Sequence, residues 1–419
     1  MGEKNSVKKN EKKKNILVID DSALMRRVTS DIINSDPRFC VTDFATNGFE
    51  ALDIIYKNYG KYDAVVCDIN MPKMTGLEVL KALKRHKIEL RIIMSSTMTR
   101  PGAKETILAL ELGAFDFVTK PSSYIKAVNS DFGNNLLKAL YVACEIEDEW
   151  FAKESQLSNN QTSETQSAEP VSETVQTDGA QSAKKEDAAK VISGESHKIT
   201  VKKKHGSSKK EIIEKDALKP DYGMEKLVMI ALSTGGPKAL SKVIPKLDKE
   251  LDAPVVIVQH MPEGFTSSLA ARLDEISHVR VVEAQDGEPL SKGTVYIAKG
   301  GRHLKVVQED GRAILRVYDG PAIVGLKPCA DITIESLNKV NYQQVLFVVM
   351  TGMGQDGTKG LTSLKNTINK KIIVQDQKSS AVYGMPRSVV NAGLADGIFA
   401  LDKIAKEINQ TTGVRKHGC

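Results

Sequence analysis

A long polar stretch divides this chain of 419 residues into two parts, and it limits how the chain can fold. Residues 152–210 consist mainly of Ser, Thr, Gln, Glu, Ala and Lys, with few aliphatic residues and no aromatic one. Such a composition cannot bury enough apolar surface to offset the entropy lost when the chain is ordered. The sequence therefore predicts two folded domains joined by a long flexible linker, which we place at 146–222.

Charge and composition exclude several classes of protein. The 59 Lys and Arg exceed the 53 Asp and Glu by only six, and Lys-rich tracts at 8–14 and 198–210 supply much of the excess. Such tracts are typical of solvated tails rather than of a nucleic-acid-binding face. No run approaches the roughly 18 apolar residues of a membrane helix, and the five cysteines show no CxxC spacing. We therefore expect a cytoplasmic protein without nucleic-acid partners or membrane insertion.

Both parts alternate short apolar runs with segments of helical spacing. In the first part, residues 15–145, the strand-like runs are 15–20, 63–68, 91–96 and 115–120. In the second part, residues 223–412, the most apolar runs are 226–233, 253–260, 343–351 and 371–376. This alternation predicts an α/β protein with two doubly wound parallel sheets, flanked by tails at 1–14 and 413–419. Shorter runs could form an antiparallel appendage to the second sheet: 279–284, 293–300, 303–308 and 313–318.

Charged side chains follow three predicted strands of the first domain. Asp20 ends the run 15–20 and Asp21 follows it, Asp68 ends the run 63–68, and Lys120 ends the run 115–120. The carboxyl ends of parallel strands share one edge, where ligands bind. Three carboxylates there suit Mg²⁺, and a carboxylate beside Mg²⁺ can act as a nucleophile toward phosphorus. Asp21 could instead simply cap a helix.

The motifs ILVIDDS, CDINMPKMTG, IIMSS and FVTKP occur in this order on successive strands. Over about 15–140 the sequence resembles the response-regulator receiver family, which has a flavodoxin-like fold. The resemblance implies that Asp68 accepts a phosphoryl group and that Asp20, Asp21 and Asp68 bind Mg²⁺. It makes Lys120 the residue that senses the phosphate.

The resemblance also implies a switch hydroxyl on the predicted strand 91–96 and an aromatic switch residue on the predicted strand 115–120. The hydroxyl is either Ser95 or Ser96, and the ungapped spacing from Asp68 favours Ser95. Phe117 is the candidate for the aromatic residue.

Three apolar strands of the second domain each lead to a reactive side chain. They end at Ser233, at His260 and, through the loop TGMGQ, at Asp356. If the strands are parallel neighbours, the three groups converge at one edge, as nucleophilic catalysis requires: a hydroxyl nucleophile, an imidazole base and a carboxylate that orients the base. Taken singly, Asp356 could cap a helix, and His278 and His303 compete with His260 for the base.

Gly-rich turns accompany these side chains. Thr234, Gly235 and Gly236 follow Ser233, and they permit a tight turn into a helix whose free N–H groups favour an oxyanion. The loop TGMGQDG supplies further amides, notably near Met353, that could complete an oxyanion hole.

The second domain resembles the chemotaxis protein-glutamate methylesterase family (CheB) over nearly its whole length. The matching pieces are LSTGGP, VIVQHMP, GFTSSLAARL, VYIAKGGRH, LKPCAD, MTGMGQDG and VYGMPRSVV. The resemblance implies a Rossmann-like three-layer domain with Ser233, His260 and Asp356 as its triad. It implies hydrolysis of glutamyl methyl esters, and deamidation of glutamines, on methyl-accepting chemoreceptors, through an acyl-enzyme and without a cofactor. A chemotaxis histidine kinase would be the phosphodonor.

The sequence departs from the family at Ala231, where glycine is usual, at Cys329, where serine is common, and at Lys299, where proline is common. A signalling adaptor that binds receptors without turnover is the second interpretation, which the complete triad argues against. A transcriptional regulator would need a basic recognition helix, which the apolar strands after residue 224 disfavour. We expect the unphosphorylated receiver to cover the catalytic cleft and phosphorylation to move it away.

Overall fold

The computed structural model describes residues 12–121, 131–146, 226–366 and 368–413. They form two domains, each built on a parallel sheet with helices on both faces, so the predicted α/β class is confirmed. The linker predicted at 146–222 and the two predicted tails lie almost entirely outside the described residues. Within the described ranges, no helix has the length and apolar character that crossing a bilayer requires.

The first domain has a sheet of five parallel strands in the order β2-β1-β3-β4-β5. Its strands are β1 Lys14–Ile19, β2 Phe39–Ala45, β3 Ala64–Asp68, β4 Ile92–Ser96 and β5 Asp116–Thr119. Its helices are α1 Ala23–Asn34, α2 Gly48–Lys57, α3 Gly76–Arg85, α4 Arg100–Leu112 and α5 Asp131–Ala143. Strand β3 is buried along its whole length, as expected of a strand covered by helices on both faces.

The second domain has seven parallel strands in the order β14-β13-β12-β6-β7-β9-β8 and a separate two-stranded hairpin. Its strands are β6 Lys226–Leu232, β7 Val255–Gln259, β8 Arg280–Glu283, β9 Thr294–Ile297, β10 His303–Glu309, β11 Arg312–Tyr318, β12 Gln344–Val349, β13 Lys370–Gln375 and β14 Gly397–Phe399. Its α-helices are α6 Gly236–Val243, α7 Phe265–Ile276, α8 Ala330–Ser336, α9 Thr358–Thr362, α10 Gly384–Asn391 and α11 Leu401–Thr412.

The four short strands do not all form the expected antiparallel appendage. Only β10 and β11 pair in antiparallel fashion, whereas β8 and β9 extend the main sheet in parallel. The reason is burial on both faces of β9. Val295 and Ile297 pack into one apolar cluster and Tyr296 into another on the opposite face, which is the environment of a parallel strand.

Candidate active site

The order β12-β6-β7 places three sequence-predicted side chains at one edge of the second sheet. Ser233 follows β6, the central strand, and His260 follows its neighbour β7. The Ser233 amide donates to the carbonyl of Thr351, beyond the end of β12, over 3.0 Å, and the His260 amide donates to the carbonyl of Leu232 over 3.2 Å. The backbone around Ser233 is therefore tied to both neighbouring strands.

A hydrogen bond joins the imidazole to the carboxylate. His260 Nε2 lies 2.7 Å from Asp356 Oδ2, and Asp356 is only 6% exposed. Burial alone would raise the pKa of Asp356, but the hydrogen bond and the charge of His260, with backbone amides, lower it to about 2. Asp356 therefore stays ionised at neutral pH, where it can stabilise an imidazolium.

Four further donors surround the Asp356 carboxylate. The amide of Ala330 donates to Oδ2 over 2.6 Å, and the amides of Asp331 and Gly357 donate to Oδ1 over 2.9 and 3.0 Å. The Cys329 thiol donates to Oδ1 over 3.2 Å, at the position where the family commonly has serine. These donors form a rigid cradle that fixes the direction in which the carboxylate meets His260.

The second ring nitrogen of His260 has no partner within the described part of the chain. Nδ1 is buried and accepts no hydrogen bond from any described residue, whereas Nε2 faces Asp356. The carboxylate bond holds the proton on Nε2 and leaves the Nδ1 lone pair available as a base. The two competing histidines are placed differently: His303 Nε2 bonds the carbonyl of Pro321, and His278 precedes the amino end of the edge strand β8.

The turn after Ser233 has the predicted form. Gly235 has a positive φ of 79°, and the Gly236 amide donates to the Ser233 carbonyl over 2.8 Å as α6 begins. The Thr234 carbonyl accepts from Thr351 Oγ1 over 2.9 Å. Met353 is 7% exposed and belongs to an apolar cluster formed mostly by first-domain residues.

The first domain brings its predicted acidic residues together. Lys120 Nζ lies 2.7 Å from both Asp20 Oδ2 and Asp68 Oδ2. Asp21 is exposed, and carboxylate oxygens of the three aspartates lie within 4.8 Å of one another. Burial raises the pKa of Asp68 to about 6, against the opposing charge of Lys120. These hard oxygen ligands around a crowded negative site fit a Mg²⁺ ion.

The two candidate switch hydroxyls have different surroundings. Ser95 is the register partner of Asp68 on the neighbouring strand. Ser96 Oγ instead contacts α4, where it accepts from Thr106 Oγ1 over 2.7 Å and donates to the carbonyl of Gly102 over 3.3 Å. Ser95 therefore lies beside the acidic site, and Ser96 links β4 to α4.

The two domains meet beside Ser233. Thr234 Oγ1 donates to Asp116 Oδ2 at the start of β5 over 2.7 Å, and the Phe117 and Phe265 rings pack with centroids 4.7 Å apart. Helix α4 packs against α6 and α7, where Arg272 pairs with Glu111 over 3.0 Å. The first domain thus contacts Thr234, the residue next to Ser233.

Sequence reasoning missed several residues of this site. Gln259, Asp331 and Asp116 were not predicted, and Cys329 was noted only as a departure from the family. Gln259 is the last residue of a predicted strand, so its position just before His260 was the available signal. Nothing in the sequence around Asp116 indicates a partner in the other domain.

Comparison with known proteins agrees with both resemblances. Residues 228–408 match the CheB methylesterase family, and residues 16–129 match the response regulator receiver domain. A protein-glutamate methylesterase/protein-glutamine glutaminase of Geobacillus kaustophilus is 37% identical over 95% of this chain and 98% of that protein. The protein of that name from Bacillus subtilis is 37% identical over 96% of this chain and 98% of that protein.

Solved structures include the CheB methylesterase catalytic domain of Thermotoga maritima. It is 40% identical, covers 44% of this chain and 98% of that chain, and has a TM-score of 0.43. The family assignment rests on the full-length relatives, whose similarity spans both domains of the chain. The chain therefore belongs to the CheB family of response regulators, in which a receiver domain precedes a methylesterase domain.

Proposed function

We propose that the chain is a protein-glutamate methylesterase and protein-glutamine glutaminase that acts on methyl-accepting chemoreceptors. The observation that carries the proposal is the bond from His260 Nε2 to the cradled Asp356 carboxylate, one strand away from Ser233. The names of its full-length relatives supply the reacting groups, methylated glutamates and glutamines of a protein, and the resemblance to the chemotaxis family supplies the chemoreceptors. We place the receiver at 15–145 and the catalytic domain at 223–412, in the cytoplasm.

The proposed reaction passes through an acyl-enzyme. Ser233 Oγ attacks the ester carbonyl carbon while His260 Nδ1 takes its proton, and Asp356 stabilises the imidazolium through Nε2–H. Amides at the start of α6 and near Met353 stabilise the oxyanion. The imidazolium returns the proton to the leaving oxygen, and methanol departs. Water then attacks the acyl-enzyme with His260 as base, which releases the glutamate and regenerates Ser233.

The same steps account for deamidation. A glutamine side chain presents an amide carbonyl in place of the ester, and ammonia leaves in place of methanol. Both substrates yield the same glutamyl acyl-enzyme, so one triad serves both reactions. Ester hydrolysis needs no cofactor, because nucleophile, base and oxyanion donors all come from the chain.

For the receiver, we propose that an Asp68 oxygen attacks the phosphorus of a phosphohistidine on the chemotaxis kinase and displaces the histidine nitrogen. Asp20, Asp21 and Asp68 would hold Mg²⁺, which when bound supplies positive charge toward the phosphoryl oxygens. Lys120 already lies between Asp20 and Asp68 and can follow the new charge. Ser95, beside Asp68 in the sheet, is the proposed switch hydroxyl.

We further propose that the receiver inhibits the esterase by contact and that phosphorylation releases it. Support comes from the Thr234–Asp116 bond, one residue from the nucleophile, and from the packing of Met353 among receiver residues. The receiver therefore constrains both segments that could donate to the oxyanion, the turn at Thr234 and the loop at Met353. Repacking of β5 and α4 around a phosphorylated Asp68 would remove these constraints.

Methanol release from membranes that contain methylated chemoreceptors tests the esterase proposal. We expect release by the full-length protein, and a higher rate with Mg²⁺ and a small-molecule phosphodonor. The control is protein first inactivated with a serine-reactive fluorophosphonate. An adaptor would release no methanol under either condition, and that result would overturn the proposal.

Asp116 makes the inhibitory contact sensitive to pH. Burial raises the pKa of Asp116, although the Thr234 hydrogen bond opposes this. Asp116 therefore holds its proton more tightly when the two domains are in contact than when they are apart. The contact is favoured at low pH and weakens as the pH rises above the ordinary carboxyl pKa of about 4. We expect the unphosphorylated activity of the wild type, divided by that of Asp116→Asn, to rise at least about twofold from pH 5 to pH 8.

The ratio removes the pH dependence of the triad, which both proteins share. Asp116→Asn has no buried charge to ionise, so its contact should hold at every pH and its unphosphorylated activity should be the lower at pH 8. A ratio that stays constant from pH 5 to pH 8 would show that ionisation of Asp116 does not control the contact.

A further inference from the structure

Gln259 connects the backbones of the nucleophile and the base. It is the last residue of β7, and its side chain is buried, with 1% exposure. Its amide nitrogen Nε2 donates to the carbonyl of Ser233 over 3.0 Å and to the carbonyl of His260 over 3.1 Å. One side chain therefore bridges the two peptides that carry the reacting groups.

The orientation of this amide is unambiguous. Both partners are carbonyl oxygens, which only the nitrogen end can contact as a donor. The oxygen Oε1 is buried and has no partner within the described part of the chain. It lies against Gly236, where a Cβ atom would overlap it. Glycine at this position therefore makes room for the amide oxygen.

A second buried glutamine in the same sheet differs from Gln259 in how its amide is paired. Gln375, at the end of β13, is also buried, and both ends of its amide are paired: Oε1 accepts from the Thr351 amide, and Nε2 donates to the Ser379 carbonyl. The Gln259 oxygen has no partner among the described residues, which lowers stability. The two bonds that the Gln259 nitrogen donates therefore hold the Ser233 and His260 peptides while the other end of the same amide is without a partner in the described part of the chain.

We propose that Gln259 is a positioning residue that fixes Ser233 and His260 relative to each other. The Ser233 carbonyl accepts from both Gln259 Nε2 and the Gly236 amide, so the peptide after the nucleophile is held from two directions. The His260 carbonyl accepts from the same Gln259 nitrogen, so Gln259 restrains the separation between the two peptides. Small displacements of catalytic groups reduce the rate of the chemical step much more than they reduce substrate binding.

The proposal rests on the proposed esterase function, and the test uses two measurements that can fail separately. One is methanol release from methylated receptor membranes. The other is the rate at which a fluorophosphonate labels Ser233, which needs the nucleophile and base but not the natural substrate. Full-length proteins are compared with Mg²⁺ and a small phosphodonor: wild type, Gln259→Met, Gln259→Glu and the control Gln344→Met. Gln344 is the first residue of β12, so it lies at the amino ends of the strands, whereas the candidate site lies at their carboxyl ends.

We expect Gln259→Met to lower kcat and the labelling rate together by about 10- to 100-fold, with KM within about twofold of the wild type. Gln344→Met should match the wild type in both measurements. In Gln259→Glu, an ionised carboxylate would face two carbonyl oxygens, whereas a protonated one can donate to one of them. Activity of Gln259→Glu relative to the wild type should therefore increase as the pH is lowered toward 5.

Thermal melting separates positioning from loss of fold. If Gln259→Met melts below the assay temperature, the pH dependence of Gln259→Glu decides, because unfolding would not be reversed by mild acid. A folded Gln259→Met with wild-type labelling and kcat would overturn the proposal, as would a loss confined to KM. If the wild-type protein is labelled but releases no methanol, the esterase function is rejected, and the labelling rates of the variants can still be compared. Absence of wild-type labelling would reject both.

Discussion

Replacing Asp356 with asparagine is expected to lower kcat by about 1,000- to 10,000-fold, with the protein still folded. The Asp356 carboxylate uses one oxygen for His260 Nε2 and Ala330 N and the other for three further donors. Asparagine has only one oxygen, which the donors around Oδ1 will take. Its NH₂ group then faces His260 Nε2 and moves the imidazole proton to Nδ1, so the base is lost.

Methanol release and fluorophosphonate labelling both measure this loss, and Asp402→Asn is the matched control. Asp402 lies exposed on α11, where the same change should alter neither rate. Because the pKa of Asp356 is about 2, the wild type should show no loss of activity from protonation of this carboxyl above about pH 4. A folded Asp356→Asn with more than a tenth of wild-type kcat would mean that catalysis does not depend on the Asp356 carboxylate holding the His260 proton on Nε2.

Ser233 and His260 could be predicted because each directly follows an apolar strand. Continuous apolar runs predicted β6, β7 and β12, and residues at the ends of neighbouring parallel strands must meet at one edge. Ser233 and His260 follow register-paired residues, Leu232 and Gln259, for this reason. In the receiver, Asp68 and Ser95 are placed by the same rule.

Contacts between distant segments could not be predicted in this way. The cradle of Asp356 comes from Cys329, Ala330 and Asp331, whose approach depends on how α8 packs against the sheet. The Thr234–Asp116 bond depends on how two separately folded surfaces fit together. No periodicity within one segment encodes either contact.

Strand direction was the remaining ambiguity. Short apolar runs fit parallel and antiparallel pairing equally well, and spacing alone made β8 to β11 look like one group. The turn at Gly311 closes β10 and β11 into a hairpin, with a positive φ of 76°. The intervening chain between β8 and β9 instead returns β9 to lie between β7 and β8 in parallel.

At Gly352, a single added methyl group is expected to lower the catalytic rate strongly. A Cβ atom there would lie 2.8 Å from Ser233 Cβ and 3.0 Å from Ser233 N, and it would overlap Met385 Sδ. The backbone cannot retreat, since the Gly352 amide donates to Val382 O and its carbonyl accepts from the amides of Gly384 and Met385. Gly352→Ala must therefore displace Ser233.

We expect Gly352→Ala to lower kcat and fluorophosphonate labelling by about 100-fold or more and to destabilise the fold by about 1–3 kcal/mol. Gly133→Ala is the control, because a Cβ there, on α5, would meet nothing closer than 3.7 Å and alanine favours a helix. Its stability should be unchanged or slightly higher, with wild-type kcat. If Gly352→Ala instead keeps wild-type labelling, the Ser233 hydroxyl does not depend on its contact with the Thr351–Gly352 segment, and the close packing of β6 against β12 serves the fold alone.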